Sequence, residues 1–109
     1  MARVIIIKSL KEKILKTFKQ DSIKIFSLMK SLETNPKKGK TLATISNILI
    51  KELKFKKYRF YFITDGQILK FSNKEDLNNL ILKFLRMSSK KQQQKTIEEI
   101  KNLIKTFEE

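Results

Sequence analysis

The sequence predicts an α+β domain. Two stretches of apolar residues at helical spacing precede residue 36, a period-two region with tight-turn residues occupies the middle, and a last amphipathic stretch closes the chain. A length of 109 residues gives room for one hydrophobic core, so residues 1–109 read as a single domain. The expected architecture is two N-terminal helices, an antiparallel sheet of about four strands and a C-terminal helix, with the helices on one sheet face and the other face open.

Val4 to Ile7 is β-branched throughout and reads as a short buried first strand. Ser9 and Glu12 have the spacing of a capping box, in which the hydroxyl accepts from a backbone N–H three residues on and the carboxylate reaches back. A helix is expected from there, with Leu10, Ile14, Leu15 and Phe18 on one face. After a break near Gln20 and Asp21, the set Ile25, Leu28, Met29 and Leu32 repeats the helical spacing. Asn35-Pro36 closes this second helix, because proline cannot continue it and disfavours helical backbone in the residue before.

Lys37 to Asn47 contains one of the two glycines and reads as a loop. Beyond it the period changes to two. Ile48 to Phe55 and Tyr58 to Thr64 flank a Lys56-Lys57 turn, and Asp65-Gly66 is a strong hairpin signal leading into Gln67 to Phe71, so a three-strand meander is expected. Alternation puts Arg59 and Tyr61 on one face and Tyr58, Phe60 and Phe62 on the other, with Arg59 on the open side. Ser72 to Asn79 is polar and loop-like. Lys74 to Leu85 admits a helix enclosing Leu77, Leu80, Ile81 and Phe84, although a fourth strand from Leu80 to Met87 is the preferred reading. Ser89 with Gln92, and Thr96 with Glu99, again have capping-box spacing, and a final helix follows with Ile97, Ile100, Leu103, Ile104 and Phe107 on one face. The KKQQQK run at Lys90 to Lys95 is the only compositionally biased stretch.

Charge is the strongest functional signal. Twenty-five Lys and Arg against eleven Asp and Glu give a net +14, beyond the magnitude of roughly 2–8 usual for a small soluble domain. Counterion release on a phosphate backbone is one reason to carry such a charge, since it drives binding to nucleic acid. The competing reading is compositional, because 22 of the 25 cations are Lys, the residue an AT-rich genome supplies in bulk. A polyanion, RNA first, is the expected partner.

The chain has neither cysteine nor histidine. Disulfides and thiolate chemistry are therefore excluded, a reducing cytoplasm is the expected compartment, and the commonest metal ligand and general base are both missing. The apolar run at Val4 to Ile7 falls far short of the ~20 residues a membrane span needs. No membrane insertion is expected.

The segment ILIKELKFKKYRFYFITDGQILKF, followed by LILKFLRMSSKKQQQKTIEEIKNLI, resembles the RelE/ParE toxin superfamily, in particular its RelE- and HigB-like branches. The resemblance covers most of the chain, and Tyr58-Arg59-Phe60-Tyr61 after Glu52-Leu53-Lys54 is its best part. It implies a RelE-like toxin domain of a type II toxin-antitoxin system, neutralised by a cognate acidic antitoxin. In the RelE branch such a domain is an endoribonuclease cutting messenger RNA on the ribosome, whereas the ParE branch poisons gyrase. It also implies Lys51 and Lys54 as phosphate contacts or proton-transfer groups and Lys90 and Lys91 as backbone contacts. The sequence departs from the RelE branch in one respect. That branch carries a functional tyrosine near its end, while no tyrosine follows Tyr61 here and Gln92 to Gln94 occupy the neighbourhood.

RNA is cleaved by its own 2′-hydroxyl attacking the adjacent phosphate, so no metal or cofactor is required; the protein must position the strand and stabilise phosphoryl charge. Guanidinium groups suit that role, which singles out Arg59 and Arg86 among only three arginines. For Arg59 the structural alternative is an exposed sheet residue or an ion pair with Glu52 across the hairpin. Crowding of Lys51, Lys54, Lys56 and Lys57 is expected to lower lysine pKa values toward a useful range; the alternative is a solvated edge that discourages aggregation. Tyr61 is a candidate for stacking on a base, against an interior position. A non-catalytic nucleic-acid-binding protein of the same fold is the main rival to the nuclease.

Overall fold

The computed structural model describes residues 1–71 and 77–108. It is an α+β structure built on one five-stranded mixed sheet. In chain order the elements are β1 (Arg3–Ile6), α1 (Lys8–Phe18), α2 (Ser22–Lys30), β2 (Lys40–Ile45), β3 (Ile48–Phe55), β4 (Tyr58–Asp65), α3 (Gly66–Phe71), β5 (Ile81–Ser89) and α4 (Gln93–Glu108). The sheet order is β1-β5-β4-β3-β2, with β1 parallel to β5 and every other neighbour antiparallel.

Period-two alternation organises two cores rather than one. Phe60 and Phe62 of β4, Leu82 and Phe84 of β5 and Leu53 of β3 pack against Leu10 and Ile14 of α1 and Ile25 and Met29 of α2. The opposite face carries Ile50 and Tyr61 and is covered by Ile97, Ile100 and Ile104 of α4. The expectation of a single helical layer with an open sheet face is thereby corrected. The apolar stripe of α4 has no other surface to bury, and burial of each such side chain is worth roughly 1.5–3 kcal/mol.

Several local readings change as well. Residues 37–47 are not all loop, since Lys40–Ile45 forms the edge strand β2 against β3. Asp65-Gly66 does not turn a hairpin; Asp65 Oδ1 accepts the N–H of Gln67 at 2.9 Å and of Ile68 at 3.0 Å, capping α3, so Gln67 to Phe71 is helical. Asp serves both as a turn residue and as an N-cap, and here the cap prevails. The meander is thus β2-β3-β4. The fourth expected strand, Leu80 to Met87, is present as β5, and the helical alternative for Lys74 to Leu85 is ruled out over Ile81–Leu85; the part of that reading, and of the Ser72 to Asn79 loop, at 72–76 lies outside the described residues.

Strand β1 is a half-buried edge rather than an interior strand. None of the three capping boxes forms: α1 starts at Lys8 with no side-chain cap, Ser89 caps nothing, and Thr96 Oγ1 donates instead to the Gln92 carbonyl at 3.0 Å. Leu15, expected in the core, is 47% exposed. Leu103 is half-buried, and the side chain of Phe107 lies outside the described set.

Candidate nucleic-acid interface

The β3–β4 hairpin turns on Lys56 and Lys57, with Lys56 at φ +54°, the left-handed backbone such a two-residue turn requires. The register sets Lys54 opposite Arg59. On the other side of β4, Arg59 pairs with Ser88 and Tyr58 with Ser89, so the chain leaves β5 beside Arg59 and enters the Lys90–Gln92 turn there. These three segments enclose a recess of about 650 Å³ lined by Lys54, Lys56, Lys57 and Arg59 from the hairpin, and by Ser89, Lys90 and Lys91 from the turn. Five ammonium groups and one guanidinium line it, with no carboxylate among the lining residues.

Arg59 forms the fixed part of this wall. Its side chain is only 10% exposed, Nη1 donates to the Tyr58 carbonyl at 3.2 Å, and Nε lies 3.9 Å from Glu52 Oε1. Glu52 is buried in turn and its Oε2 accepts from Gln93 Nε2 of α4 at 2.9 Å. The Arg59–Glu52 ion pair anticipated as the structural alternative is therefore present, yet Arg59 still lines the recess. The lysines, by contrast, are exposed. Lys56 is held loosely by Asp21 at 3.4 Å and sits 5.4 Å from the Phe55 ring centroid.

Three anticipated site residues stand elsewhere. Lys51 is three residues from Lys54, an odd spacing that turns its side chain to the opposite sheet face. There it is buried, its Nζ donating to the Lys37 carbonyl at 3.1 Å and lying 5.8 Å from the Phe62 ring centroid. Burial lowers its pKa, so the shift foreseen from lysine crowding has a different origin. Arg86 is opposite Tyr61 in the β4–β5 ladder; its Nη1 donates to the Leu85 carbonyl at 2.8 Å and its Nε lies 3.9 Å from Glu99 Oε2 of α4. It does not line the recess.

Tyr61 is fully buried under α4, its hydroxyl 2.7 Å from Ser88 Oγ, and offers no ring to a base. Burial pushes its phenol pKa up and the Glu52 charge adds to this, against the Ser88 hydrogen bond and Arg59, which pull it down. Sequence reading missed Gln93, which anchors Glu52, and Ser89, which lines the recess. Gln93 was visible in the sequence only within the KKQQQK run that occupies the neighbourhood of the missing tyrosine, and Ser89 only as a capping residue.

Among the described residues no cluster of three or more acidic side chains is placed to hold a metal ion, and no helix is long and apolar enough to cross a membrane. Comparison with protein-family models, with curated proteins and with solved structures gives no match.

Proposed function

We propose that this protein binds RNA by its phosphate backbone in the recess between the β3–β4 turn and the Lys90–Gln92 turn, as the basic partner of a toxin-antitoxin pair. The observation that carries the reading is the convergence of Lys54, Lys56, Lys57, Arg59, Lys90 and Lys91 on one concavity. Cations spaced around a concave wall meet successive phosphates of a strand, whereas lysines scattered by composition would not converge. The resemblance of the sequence to the RelE/ParE superfamily favours RNA over other polyanions, and the element order of two helices, a hairpin and a strand running through Lys-Lys into a terminal helix agrees with it. An acidic, poorly hydrophobic antitoxin would be attracted to the same surface.

Cleavage of the bound message is a second reading, favoured by the pairing of an exposed amine, Lys54, with the Arg59 guanidinium in one recess. The strand's own 2′-hydroxyl would attack the adjacent phosphorus and lose its proton to water as the P–O5′ bond breaks; Arg59 would stabilise charge on the phosphoryl oxygens while the Lys54 ammonium delivers a proton to the leaving 5′-oxygen. Lys51, Arg86 and Tyr61 lie outside that arrangement, so binding takes precedence over catalysis.

Fluorescence anisotropy of a labelled 20-nucleotide single strand tests the binding reading. Six cations on six phosphates give a log K against log salt slope of about −4 for single-stranded nucleic acid. Absence of binding, or binding insensitive to salt, overturns the proposal. Toeprinting in a translation extract tests cleavage: new message 3′ ends that vanish with Lys54→Met support it, and unbroken message with tight binding removes it. Lys54 is the better choice than Arg59 for this test, because truncating Arg59 would strand the buried Glu52.

A further inference from the structure

The β2–β3 ladder stops at the Lys40–Glu52 pair, before β3 reaches its turn into β4. Among the described residues no strand lies beside Leu53, Lys54 and Phe55 on that side, and the edge of β3 opens there into a second recess of about 510 Å³. Lys38, Gly39 and Lys40 line it from the segment that begins β2, and Lys54 and Arg59 are shared with the first recess.

The charge of this second recess continues that of the first. Lys38, Lys40 and Lys54 are exposed ammonium groups. Glu52 is the only acid among the lining residues, and its carboxylate is taken up elsewhere: it is buried, stands 3.9 Å from Arg59 Nε and accepts from Gln93 Nε2 of α4 at 2.9 Å. The backbone adds a donor. Across the two-residue turn at Lys56-Lys57, Phe55 and Tyr58 form the closing hydrogen-bonded pair, so alternation points the N–H and C=O of Lys54 away from β4, toward the open edge. The ladder with β2 ends before it reaches them. An N–H left open by the sheet, beside three ammonium groups, is a donor set for phosphate oxygens.

The two concavities meet at the Lys54–Arg59 register pair, so a chain that fills both passes over that pair without a break in positive charge. A single strand has that freedom, because its backbone can follow a groove nucleotide by nucleotide. A duplex, with a persistence length of about 150 bp, stays straight over such a distance and meets only the rims.

We propose that the second recess continues the phosphate track of the first, and that its ligand is single-stranded RNA whose backbone crosses Lys54 and Arg59 to reach Lys38 and Lys40. The inference rests on the RNA-binding reading above and deepens it, naming single strand rather than duplex as the ligand and adding two phosphate contacts.

Anisotropy titrations of the whole protein over a range of salt concentrations test it, with a 20-nucleotide RNA alone and with the same RNA annealed to its complement. Lys38→Ala/Lys40→Ala is expected to flatten the single-strand slope by about 1.4, from about −5.6 for eight contacts to about −4 for the six of the first recess. Lys13→Ala/Lys16→Ala, which removes the same charge from α1, is expected to keep the parent slope. At equal salt the single strand is expected to bind at least about tenfold more tightly than the duplex. A duplex bound as tightly as the single strand overturns the track, and so does equal flattening by the two double variants. The duplex comparison needs no variant and decides the matter if Lys38→Ala/Lys40→Ala fails to fold. If neither RNA binds, the RNA-binding reading fails and the track with it; if the single strand binds with a slope of about −4 that Lys38→Ala/Lys40→Ala leaves unaltered, only the track fails.

Discussion

Lys54 and Arg59 are register partners across the β3–β4 hairpin and line both the recess between the two turns and an adjoining second recess, whose other lining residues are Leu28, Lys38, Gly39, Lys40, Glu52 and Leu53. One is exposed and the other almost wholly buried, so the pair joins a solvent-facing cation to one held beside the Glu52 carboxylate. Side-chain entropy is lost when a free lysine grips a phosphate, and is lost beforehand for Arg59.

The lysines of the Lys90–Gln92 turn complete the same wall, and the double variant Lys90→Ala/Lys91→Ala separates them from the general charge of the chain. It is expected to flatten the salt slope of RNA binding by about 1.4, two phosphate contacts at ~0.7 each. Removing two exposed lysines from α1 with Lys13→Ala/Lys16→Ala should leave that slope nearly unaltered. Equal effects from both pairs would make the binding a property of net charge and not of the recess. Both pairs are solvent-exposed, so the thermal midpoint should rise slightly or stay the same as self-repulsion falls.

Much of this site was legible from parity along two strands. The period of two placed Arg59 with Tyr61 and against Phe60, and Lys56-Lys57 marked the turn. The same parity, applied to Lys51 and Lys54, already separates them, since three residues along a strand reverse the face. What local pattern did not carry was the return of α4 onto the second sheet face, a contact set by chain topology over long sequence separation. That return buries Tyr61 and supplies Gln93 to Glu52. Strand β2 escaped notice because Lys40–Ile45 is a short edge following Gly39, and Asp65-Gly66 misled because an aspartate suited to a turn also caps a helix.

Burial of Lys51 leads to a stability prediction. Its folded pKa is below the unfolded value of 10.5, so between the two values the unfolded chain holds more protons, and stability rises with pH across that window. At neutral pH the buried ammonium is a net burden on the fold. Lys51→Met keeps the stem against Phe62 and removes the charge, and is expected to raise the urea midpoint at pH 7, by about 1 kcal/mol. RNA affinity should not change, because the side chain lines neither recess. A lowered midpoint would show that the bond to the Lys37 carbonyl outweighs desolvation, and weakened RNA binding would return Lys51 to the site.

Tyr61 has the opposite sign. Its folded pKa is above the unfolded value of 10.0, so its contribution to stability is fully present below pH 10 and is lost as pH rises through the folded value. In the Tyr58→Phe protein Tyr61 is the only phenol, and its absorbance change on ionisation should fall above pH 10, with urea stability declining over the same range. Tyr61→Phe should cost about 1 kcal/mol at pH 7 through loss of the Ser88 hydrogen bond. An ordinary titration at pH 10 in Tyr58→Phe would mean that the ring is not enclosed by α4.

Gly39 links the fold to the second recess. It has φ +103°, and a Cβ there would lie 3.1 Å from both the Glu52 carbonyl oxygen and Phe62 Cζ, backbone on one side and a packed ring on the other. Neither neighbour yields easily: the Glu52 carbonyl belongs to β3, and Phe62 is fully buried between β4 and the helices. Gly39→Ala is therefore expected to destabilise the protein by about 1–3 kcal/mol, read as a lower urea midpoint, through backbone strain and displacement of the start of β2. Because Lys38 and Lys40 flank this residue and line the second recess, the same substitution should weaken RNA binding more than Lys38→Ala/Lys40→Ala alone does. If Gly39→Ala is as stable as the parent and binds as tightly, the close approach of residue 39 to β3 is not needed, and the second recess loses the wall that shapes it.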